Sequence, residues 1–338
     1  MSARSPAEPS RIAIVKLGAL GDLVHTLPAF QLLRRRFPAA AISWIVHPPG
    51  AALLANVTGL DEVLAVDRRR PGELARFIGR HHGRFDCLLD FQGLYKSAAL
   101  SRLLGGENIG FARENLRERL AGAFYRRQAA PLAEGRHVVW KNVHLLHTLG
   151  IAPAPFTSSL LPPSPPPPLR EFLERLGGAA ASLTLLNVGG GWPTKVLAPA
   201  VWIDLVHELA PETSLALLWG TPPEERRARE IAAATGVPVV PFLDFRGLIS
   251  LLAGVRTLVS ADSLPLHLAD ALGTPTVGYF GPTSPRRNGP LDPRSQVVGG
   301  SSACGFCYLR RCATMTCMKT ITATRLAVAI RRVHASAR

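Results

Sequence analysis

The chain has 338 residues, of which 47% are hydrophobic and 19% are charged, and its formal net charge is +15. This length exceeds the size at which a single hydrophobic core stops growing, so we expect two domains; the low charged fraction argues against extensive disorder. The excess of cations predicts an acidic partner, which could be nucleic acid, an anionic membrane surface or a phosphorylated substrate.

The first ten residues are polar, and the first apolar run is interrupted by Lys16 and Asp22. We therefore expect neither a secretory signal nor a membrane-spanning helix. The corresponding expectation for location is the cytoplasm, with the protein resting on a membrane face.

The N-terminal half alternates predicted strands with predicted helices. An apolar strand begins at Arg11 and passes through a turn with Gly18 and Gly21 into a helix that ends at Arg36. Further strands are predicted at 41–46, 62–66 and 85–90, with a helix that contains Leu74, Phe77 and Ile78 before the last of them. This alternation predicts a parallel, doubly wound α/β sheet. The two glycines lack the G-x-G-x-x-G spacing of dinucleotide-binding turns.

Two turns of this half carry candidate site residues. Asp22 follows Gly21, where a backbone can approach a substrate closely, and its carboxylate would either accept a proton from a hydroxyl or simply complement the helix start. Gln92 and Lys96 follow the fourth strand and are candidate substrate contacts, although an exposed loop lysine is commonly just solvated.

The segment 110–127 combines many arginines with an apolar stripe formed by Leu116, Leu120, Ala123 and Phe124. Its cations, among them Arg113 and Arg117, would suit the phosphates of an acidic acceptor or an anionic lipid surface. The alternative is a helix that packs on the core and pairs its own charges.

A proline-rich run at 162–168 separates residues 11–161 from residues 169–338. We interpret it as a stiff spacer that holds two Rossmann-like domains across a cleft, rather than as a recognition peptide. The second half repeats the α/β alternation. Its strands are predicted at 182–188, 215–220, 237–240, 258–261 and 277–280, and its helices at 199–209, 224–234 and 245–253.

Two loops of the second half have features that are suited to bind phosphate groups. Asp262 and Ser263 interrupt an apolar run and favour a helix N-cap, and a helix start beyond a parallel strand attracts diphosphate, although a plain cap is the alternative. Ser263, His267 and Asp270 imitate a hydrolytic triad, but no G-x-S-x-G elbow surrounds the serine. Gly190 and Gly191 lie in a second loop, where bare amides and Lys195 would cradle phosphate.

Several motifs together resemble glycosyltransferase family 9. They are Lys16-x5-Asp22, Asp90-Phe91-Gln92-Gly93-Leu94-x-Lys96-Ser97, Gly110-Phe111-Ala112-Arg113-Glu114, Gly191-Trp192-Pro193-x-Lys195, and Asp262-Ser263-x3-His267-Leu268 with Phe280-Gly281-Pro282-Thr283. The resemblance implies the GT-B fold and inverting transfer of heptose from ADP-heptose to Kdo-lipid A at the cytoplasmic face of the inner membrane, without an obligatory metal. A different sugar nucleotide or acceptor within the family is the alternative.

The resemblance also implies roles for individual residues. Asp22 matches the general base, Lys195 the diphosphate-binding lysine, and Asp262, Ser263 and His267 the donor loop. Lys96 and Arg113 match acceptor-side cations, and we add Gln92 and Arg117 to that side and Glu224 to the donor side. This chain has Leu264 where the family often has glycine. It has Gly190 and Gly191 where hydroxyl residues are found, so phosphate contacts there would come from backbone amides.

Four cysteines follow the spacing Cys304-x2-Cys307-x4-Cys312-x4-Cys317. In a protein expected in the cytoplasm, this spacing predicts either a structural zinc site or four reduced thiols, rather than disulfides. A basic nucleic-acid-binding module is the alternative to an enzyme. The sequence contains no recognised nucleic-acid motif or aromatic stacking platform, so we expect no nucleic-acid partner.

Overall fold

The computed structural model describes residues 8–67, 69–156, 159–178, 180–301 and 303–336. The chain divides into two compact units, Met1–Leu161 and Pro162–Arg338. Residues 162–166 have no regular secondary structure, and a helix begins at Pro167. The last two residues of the predicted 162–168 spacer therefore belong to that helix, because proline is well suited to a first helical turn.

The first unit contains a parallel sheet in the order β3-β2-β1-β4-β5-β6. Its strands are β1 Arg11–Val15, β2 Ala41–Val46, β3 Glu62–Ala65, β4 Cys87–Asp90, β5 Glu107–Gly110 and β6 Arg127–Gln128. The chain order reverses between β1 and β4, and the carboxyl ends of strands at such a switch point flank a crevice where ligands bind. Residues that follow β1 and β4 are therefore in position for a site.

The helices of this unit are α1 Leu20–Val24, α2 Leu27–Arg36, α3 Pro48–Leu54, α4 Pro71–His81, α5 Tyr95–Leu104 and α6 Val138–Leu145. The predicted single helix ending at Arg36 is two helices, since His25 closes α1 and Thr26 starts α2. The Thr26 hydroxyl donates to the Asp22 carbonyl at 2.8 Å and joins the two.

The prediction that segment 110–127 forms a helix with one apolar stripe is wrong. After β5 the chain forms two short 3₁₀ turns, Arg113–Asn115 and Arg119–Phe124, rather than one helix. Leu116 is buried, whereas Leu120 is 69% exposed. The path packs Tyr125 against β5, where a Cβ on Gly110 would lie 2.2 Å from the Tyr125 ring, so glycine is needed at that position.

The second unit contains a parallel sheet in the order β11-β10-β9-β7-β8. Its strands are β7 Leu183–Asn187, β8 Ser214–Leu218, β9 Thr257–Ala261, β10 Thr276–Phe280 and β11 Gln296–Gly299. The predicted strand at 237–240 is only a single bridge between Leu217 and Val239. Pro238 and Pro241 lack N–H donors, so a longer ladder cannot form there.

Helices cover this sheet and bury an apolar core around Trp202 and Tyr279. They are α7 Pro167–Arg175, α8 Pro199–Leu209, α9 Pro222–Thr235, α10 Phe245–Gly254, α11 Leu264–Ala271, α12 Pro285–Asn288, α13 Thr316–Lys319 and α14 Ala323–Ser336. In the part of the chain that the structure describes, none of these helices, nor any of the first unit, is long and apolar enough to cross a membrane.

Candidate functional site

Asp22 lies in the first turn of α1, just beyond the carboxyl end of β1. Its Oδ2 is 3.9 Å from Nζ of Lys16, and its side chain is 40% exposed. Lys16 is buried and donates from Nζ to the Phe91 carbonyl at 3.0 Å. The N-cap of α1 is Ala19, so Asp22 does not cap the helix. A solvated carboxylate with one cation beside it is free to accept a proton.

Gln92 connects the loop after β4 to the turn after β1. Its Oε1 accepts from the amides of Leu17 and Gly18 at 3.1 and 3.2 Å. The side-chain oxygen of Gln92 is therefore engaged in holding the turn that carries Asp22, which leaves its NH₂ group as the part able to contact a substrate.

Asp90, a residue given no role by the sequence, organises the loop after β4. Its carboxylate is buried and accepts from the amides of Gln92 and Gly93, the Ser97 hydroxyl and the Tyr125 hydroxyl, at 2.7–3.1 Å. Burial raises the pKa of Asp90, while these hydrogen bonds lower it. Asp90 thus fixes the loop from within the protein.

A pocket of about 350 Å³ lies beside this turn. It is mostly apolar, and Gln92 and His47 provide its polar groups. The His47 ring lies 3.1 Å from the Asp67 carboxylate. The pocket is lined by Leu17, Gly18, Ala19, Leu20, Leu23, His47, Pro49, Gly50 and Gln92. Its size is in the range of small-molecule sites, and it lies at the predicted acceptor side.

The predicted acceptor cations Lys96, Arg113 and Arg117 are all exposed. Among the residues that the structure describes, none of the three forms an ion pair. Lys96 is the second residue of α5. The first amide of that helix donates to Glu118 Oε2 at 2.6 Å, which places the 113–118 segment beside the helix start.

In the second unit, Asp262 is the centre of a buried network. Lys195 Nζ donates to its Oδ2 at 2.8 Å and to its carbonyl at 2.7 Å. His267 Nε2 lies 3.2 Å from Oδ1, and the Asn288 amide donates weakly at 3.4 Å. Burial alone would raise the pKa of Asp262, but the hydrogen bond and charge of His267 and Lys195 hold it far below its ordinary range. The structure thus brings three predicted donor residues together.

Ser263 stands at the N-cap of α11, but its side chain does not cap the helix. Its hydroxyl donates to the Ala261 carbonyl at 3.2 Å and lies 3.1 Å from the Ser260 hydroxyl. The expectation of an ordinary side-chain cap is therefore wrong. Asp270 accepts from the Leu291 and Asp292 amides, so it anchors another loop rather than completing a hydrolytic triad.

Asn187 is a site residue that the sequence did not reveal. It ends β7 and donates to the Ser260 and Ser263 hydroxyls at 2.8 and 3.3 Å. Its oxygen accepts from the Gly189 amide at 3.4 Å. One buried amide therefore links the loop after β7 to the loop after β9.

The glycine loop after β7 carries the second predicted phosphate cradle. Gly191 has φ of +74°, and a Cβ there would meet open space, so the backbone is accessible. Lys195 closes a 3₁₀ turn and is buried, with Nζ 4.4 Å from the centre of the Trp192 ring. A Cβ on Gly190 would lie 2.9 Å from Val196, which favours glycine at that position.

Glu224 lies at the carboxyl ends of β7 and β8. Its Oε2 accepts from the Gly220 amide at 3.0 Å, and a Cβ on Gly189 would lie 2.1 Å from Oε1. Trp219, which precedes Gly220, and Phe242 form an aromatic pair with ring centres 5.7 Å apart, and Phe242 is 64% exposed. This pair was not predicted, because the two rings are far apart along the chain.

The structure does not show the zinc alternative for the four cysteines. Cys304 and Cys307 are exposed and Cys317 is buried. Within the described ranges, no three His, Cys, Asp or Glu side chains lie close enough together to hold a metal ion. The loop packs on the donor side instead: the Thr194 hydroxyl donates to the Leu309 carbonyl at 2.7 Å, and Arg310 lies over the Trp192 ring.

Two units, each with a parallel α/β sheet and polar residues at the carboxyl ends of its central strands, have the architecture of the GT-B fold. Residues 74–317 match the model of glycosyltransferase family 9 (heptosyltransferase). The chain belongs to this family, which confirms the resemblance seen in the sequence.

Individual relatives agree with this assignment. The chain is 34% identical over 317 residues to lipopolysaccharide heptosyltransferase 1 of Pseudomonas aeruginosa, covering 89% of this chain and 87% of that protein. It is similar to the solved structure of E. coli heptosyltransferase WaaC with ADP, with a TM-score of 0.78 and 27% identity over 96% of this chain and 99% of that one. The structure of WaaC with ADP-2-deoxy-2-fluoro heptose gives a TM-score of 0.76 and 26% identity, covering 97% and 100%.

Proposed function

We propose that this chain transfers heptose from ADP-heptose to the Kdo of a Kdo-lipid A inner core in lipopolysaccharide biosynthesis. The observation that carries the proposal is the half-exposed carboxylate of Asp22, held beside the buried Lys16 at the switch point of the first sheet. The names of the relatives, and the ADP and ADP-heptose analogue bound to WaaC, support the choice of sugar and nucleotide.

In this proposal Asp22 is the general base. Its carboxylate removes the proton from the acceptor hydroxyl while that oxygen attacks the anomeric carbon of heptose. The bond from that carbon to the diphosphate oxygen breaks on the opposite face, so the configuration inverts and ADP leaves with the bonding electron pair. The proton stays on Asp22 until solvent removes it, which its exposure allows.

Charge on the leaving diphosphate would be met by the chain itself. Lys195 contributes a cation that Asp262 holds in position, and the uncapped amides of α11 contribute partial positive charge. The amides of Gly190 and Gly191 would complete the cradle, in place of the hydroxyl side chains found in relatives. These groups provide electrostatic stabilisation from the protein, so we expect transfer to continue in the presence of a metal chelator.

The nucleoside end of the donor would lie at the ends of β7 and β8. The exposed ring of Phe242, supported by Trp219, offers a stacking surface for adenine. Glu224, bonded to the Gly220 amide just after β8, has carboxylate lone pairs that suit ribose hydroxyls.

The acceptor would bind to the first unit. The NH₂ group of Gln92 and the unpaired cations Lys96, Arg113 and Arg117 match the carboxylate and phosphate groups of Kdo-lipid A. Because that acceptor is a membrane lipid, we infer that the enzyme works at the cytoplasmic face of the inner membrane.

The test is ADP release by the purified protein, with ADP-heptose and Kdo-lipid A supplied separately and together, and with UDP-sugars and GDP-sugars as alternative donors. We expect release only when both substrates are present, and a heptose-sized mass increase of the acceptor. Release that requires another sugar nucleotide or another acceptor would contradict the assigned substrates while leaving the family unchanged.

A further inference from the structure

An exposed apolar and aromatic surface lies at the start of α5. Leu120, in the second 3₁₀ turn, is 69% exposed, and Tyr95, the first residue of the helix, is 49% exposed. The Tyr95 ring packs edge-on against Phe124 with ring centres 4.9 Å apart, and its amide is bonded to Glu118. These contacts join the turn and the helix start into one continuous surface, called here the α5 surface.

Exposed cations flank the α5 surface along the chain. Lys96, Arg113, Arg117 and Arg119 are exposed, and none of them has an ion pair in the described part of the chain. The acidic side chains of the same stretch are Glu114 and Glu118, and Glu118 is already engaged by the Tyr95 amide. Four cations against two carboxylates leave this stretch with a net positive charge.

Exposed leucine and tyrosine side chains flanked by exposed cations are the combination that binds an anionic lipid surface. Apolar side chains enter the headgroup boundary, and each nearby cation adds attraction to anionic lipids. A second copy of this chain is a poor occupant, because every copy carries a net charge of +15. Tyrosine also suits the interface, since its ring is apolar and its hydroxyl is polar.

We propose that the α5 surface docks the enzyme on an anionic bilayer, with Leu120 and Tyr95 in the headgroup region. The benefit to catalysis rests on the proposed function, in which the acceptor is anchored in that bilayer and the cations Lys96, Arg113 and Arg117 meet its phosphates. Docking itself does not depend on the identity of the donor or the acceptor.

The test is co-sedimentation of the purified protein with vesicles of phosphatidylcholine containing phosphatidylglycerol, compared with pure phosphatidylcholine vesicles. We expect binding to the anionic vesicles alone, weakened by salt. Leu120→Gln should reduce binding about fivefold to tenfold, because it removes a large part of the transfer free energy of a leucine. Arg119→Gln should reduce it about fivefold at low salt.

Matched controls separate docking from general effects. Leu161 is 67% exposed, so Leu161→Gln makes the same change in chemistry and exposure outside the α5 surface. Arg80 is exposed on α4, so Arg80→Gln makes the same change in charge. Three results would overturn the proposal. The first is equal binding by Leu120→Gln and Leu161→Gln, and the second is equal binding of the wild type to neutral and anionic vesicles. The third is tighter binding to duplex DNA than to anionic vesicles.

Turnover measurements distinguish a failure of the docking proposal from a failure of the proposed heptosyltransferase activity. With an acceptor that lacks acyl chains, Leu120→Gln should transfer sugar at the wild-type rate, whereas with an acceptor embedded in anionic vesicles it should be several-fold slower. Equal rates of the two proteins on the embedded acceptor would overturn the catalytic benefit. A protein that binds vesicles through Leu120 but transfers no heptose would refute the assigned activity and leave the docking surface in place.

Discussion

Each unit places a lysine and an aspartate just beyond the carboxyl ends of central strands, but the two pairs differ in burial. In the first unit, Lys16 and Asp22 are 3.9 Å apart, and Asp22 is 40% exposed. In the second, Lys195 and Asp262 are 2.8 Å apart, and Asp262 is only 3% exposed. A buried carboxylate must be compensated by its neighbours, whereas a half-exposed one is stabilised by water.

This difference in burial gives the two aspartates different roles. Asp262 accepts from Lys195, His267 and Asn288, so its lone pairs are occupied and it holds other side chains in place. Asp22 has one distant cation and open solvent beside it, so its lone pairs remain available to a substrate. Burial and hydrogen-bond partners, rather than residue type, therefore distinguish Asp22, the proposed base, from Asp262, which holds Lys195 and His267 in place.

The largest expected effect comes from removing each lysine. Lys195→Met leaves the buried carboxylate of Asp262 without its main cation, and we expect it to lower the free energy of unfolding by about 3–5 kcal/mol. Lys16→Met loses a hydrogen bond to the Phe91 carbonyl but leaves Asp22 solvated, so its cost should be about 1–3 kcal/mol. Urea unfolding of both variants measures this, and equal losses would remove the distinction between the pairs.

The pH dependence of stability sharpens the comparison further. The pKa of folded Asp262 is lowered, so its contribution is fully present above the unfolded value of about 3.9 and is lost as pH falls below that value towards the folded pKa. The difference in unfolding free energy between wild type and Asp262→Asn should shrink as pH falls below about 4. A difference that stays the same or grows below about pH 4 would show that Asp262 is not held as an anion.

A substitution at Asn187 tests whether this buried network also positions the loops that are proposed to bind the donor. Asn187→Ala removes the amide that joins Gly189 to Ser260 and Ser263, and we expect KM for the sugar nucleotide to rise about tenfold, with kcat and the acceptor KM nearly unchanged. Asn56→Ala is the control, because the Asn56 side-chain amide donates to the carbonyls of Ala52 and Leu53 in the preceding helix α3. A lower kcat with an unchanged donor KM would exclude this positioning role.

The smallest effect is expected at the exposed aromatic ring. Phe242→Ala should weaken ADP binding about threefold to tenfold, because stacking on a base is lost at a ring that is already largely solvated. Affinity for inorganic pyrophosphate should not change, since that ligand has no base. Calorimetric titration with both ligands decides the point, and equal weakening of the two would place the ring near the phosphates instead.

Much of the fold was predictable from local pattern. The apolar runs at 41–46 and 276–280 form strands because turn residues bound them, and the helix at 199–209 follows from its proline start and apolar spacing. The path of segment 110–127 was not predictable, because its leucines have helical spacing but the chain forms two short 3₁₀ turns.

The site was predictable where a motif is local and not where contacts are long-range. Lys195, Asp262 and His267 stand in recognisable loops, and the structure brings them together. The role of Asn187 was not predictable because its partners lie up to 76 residues away along the chain. Asp90 stands in a quoted motif, but its bond to Tyr125, 35 residues away, was not predictable. The cysteine spacing suggested zinc, but spacing alone does not determine whether four thiols converge on one point.

The most direct test of the central claim is single-turnover transfer by Asp22→Asn, loaded with ADP-heptose and Kdo-lipid A, with ADP affinity measured on the same preparation. The account predicts unchanged ADP affinity and stability, and transfer slowed about 10²–10⁴-fold because the base is lost. Asp204→Asn, at an exposed position on α8, should behave as wild type. Near-normal transfer by Asp22→Asn would contradict the account and remove Asp22 from the mechanism.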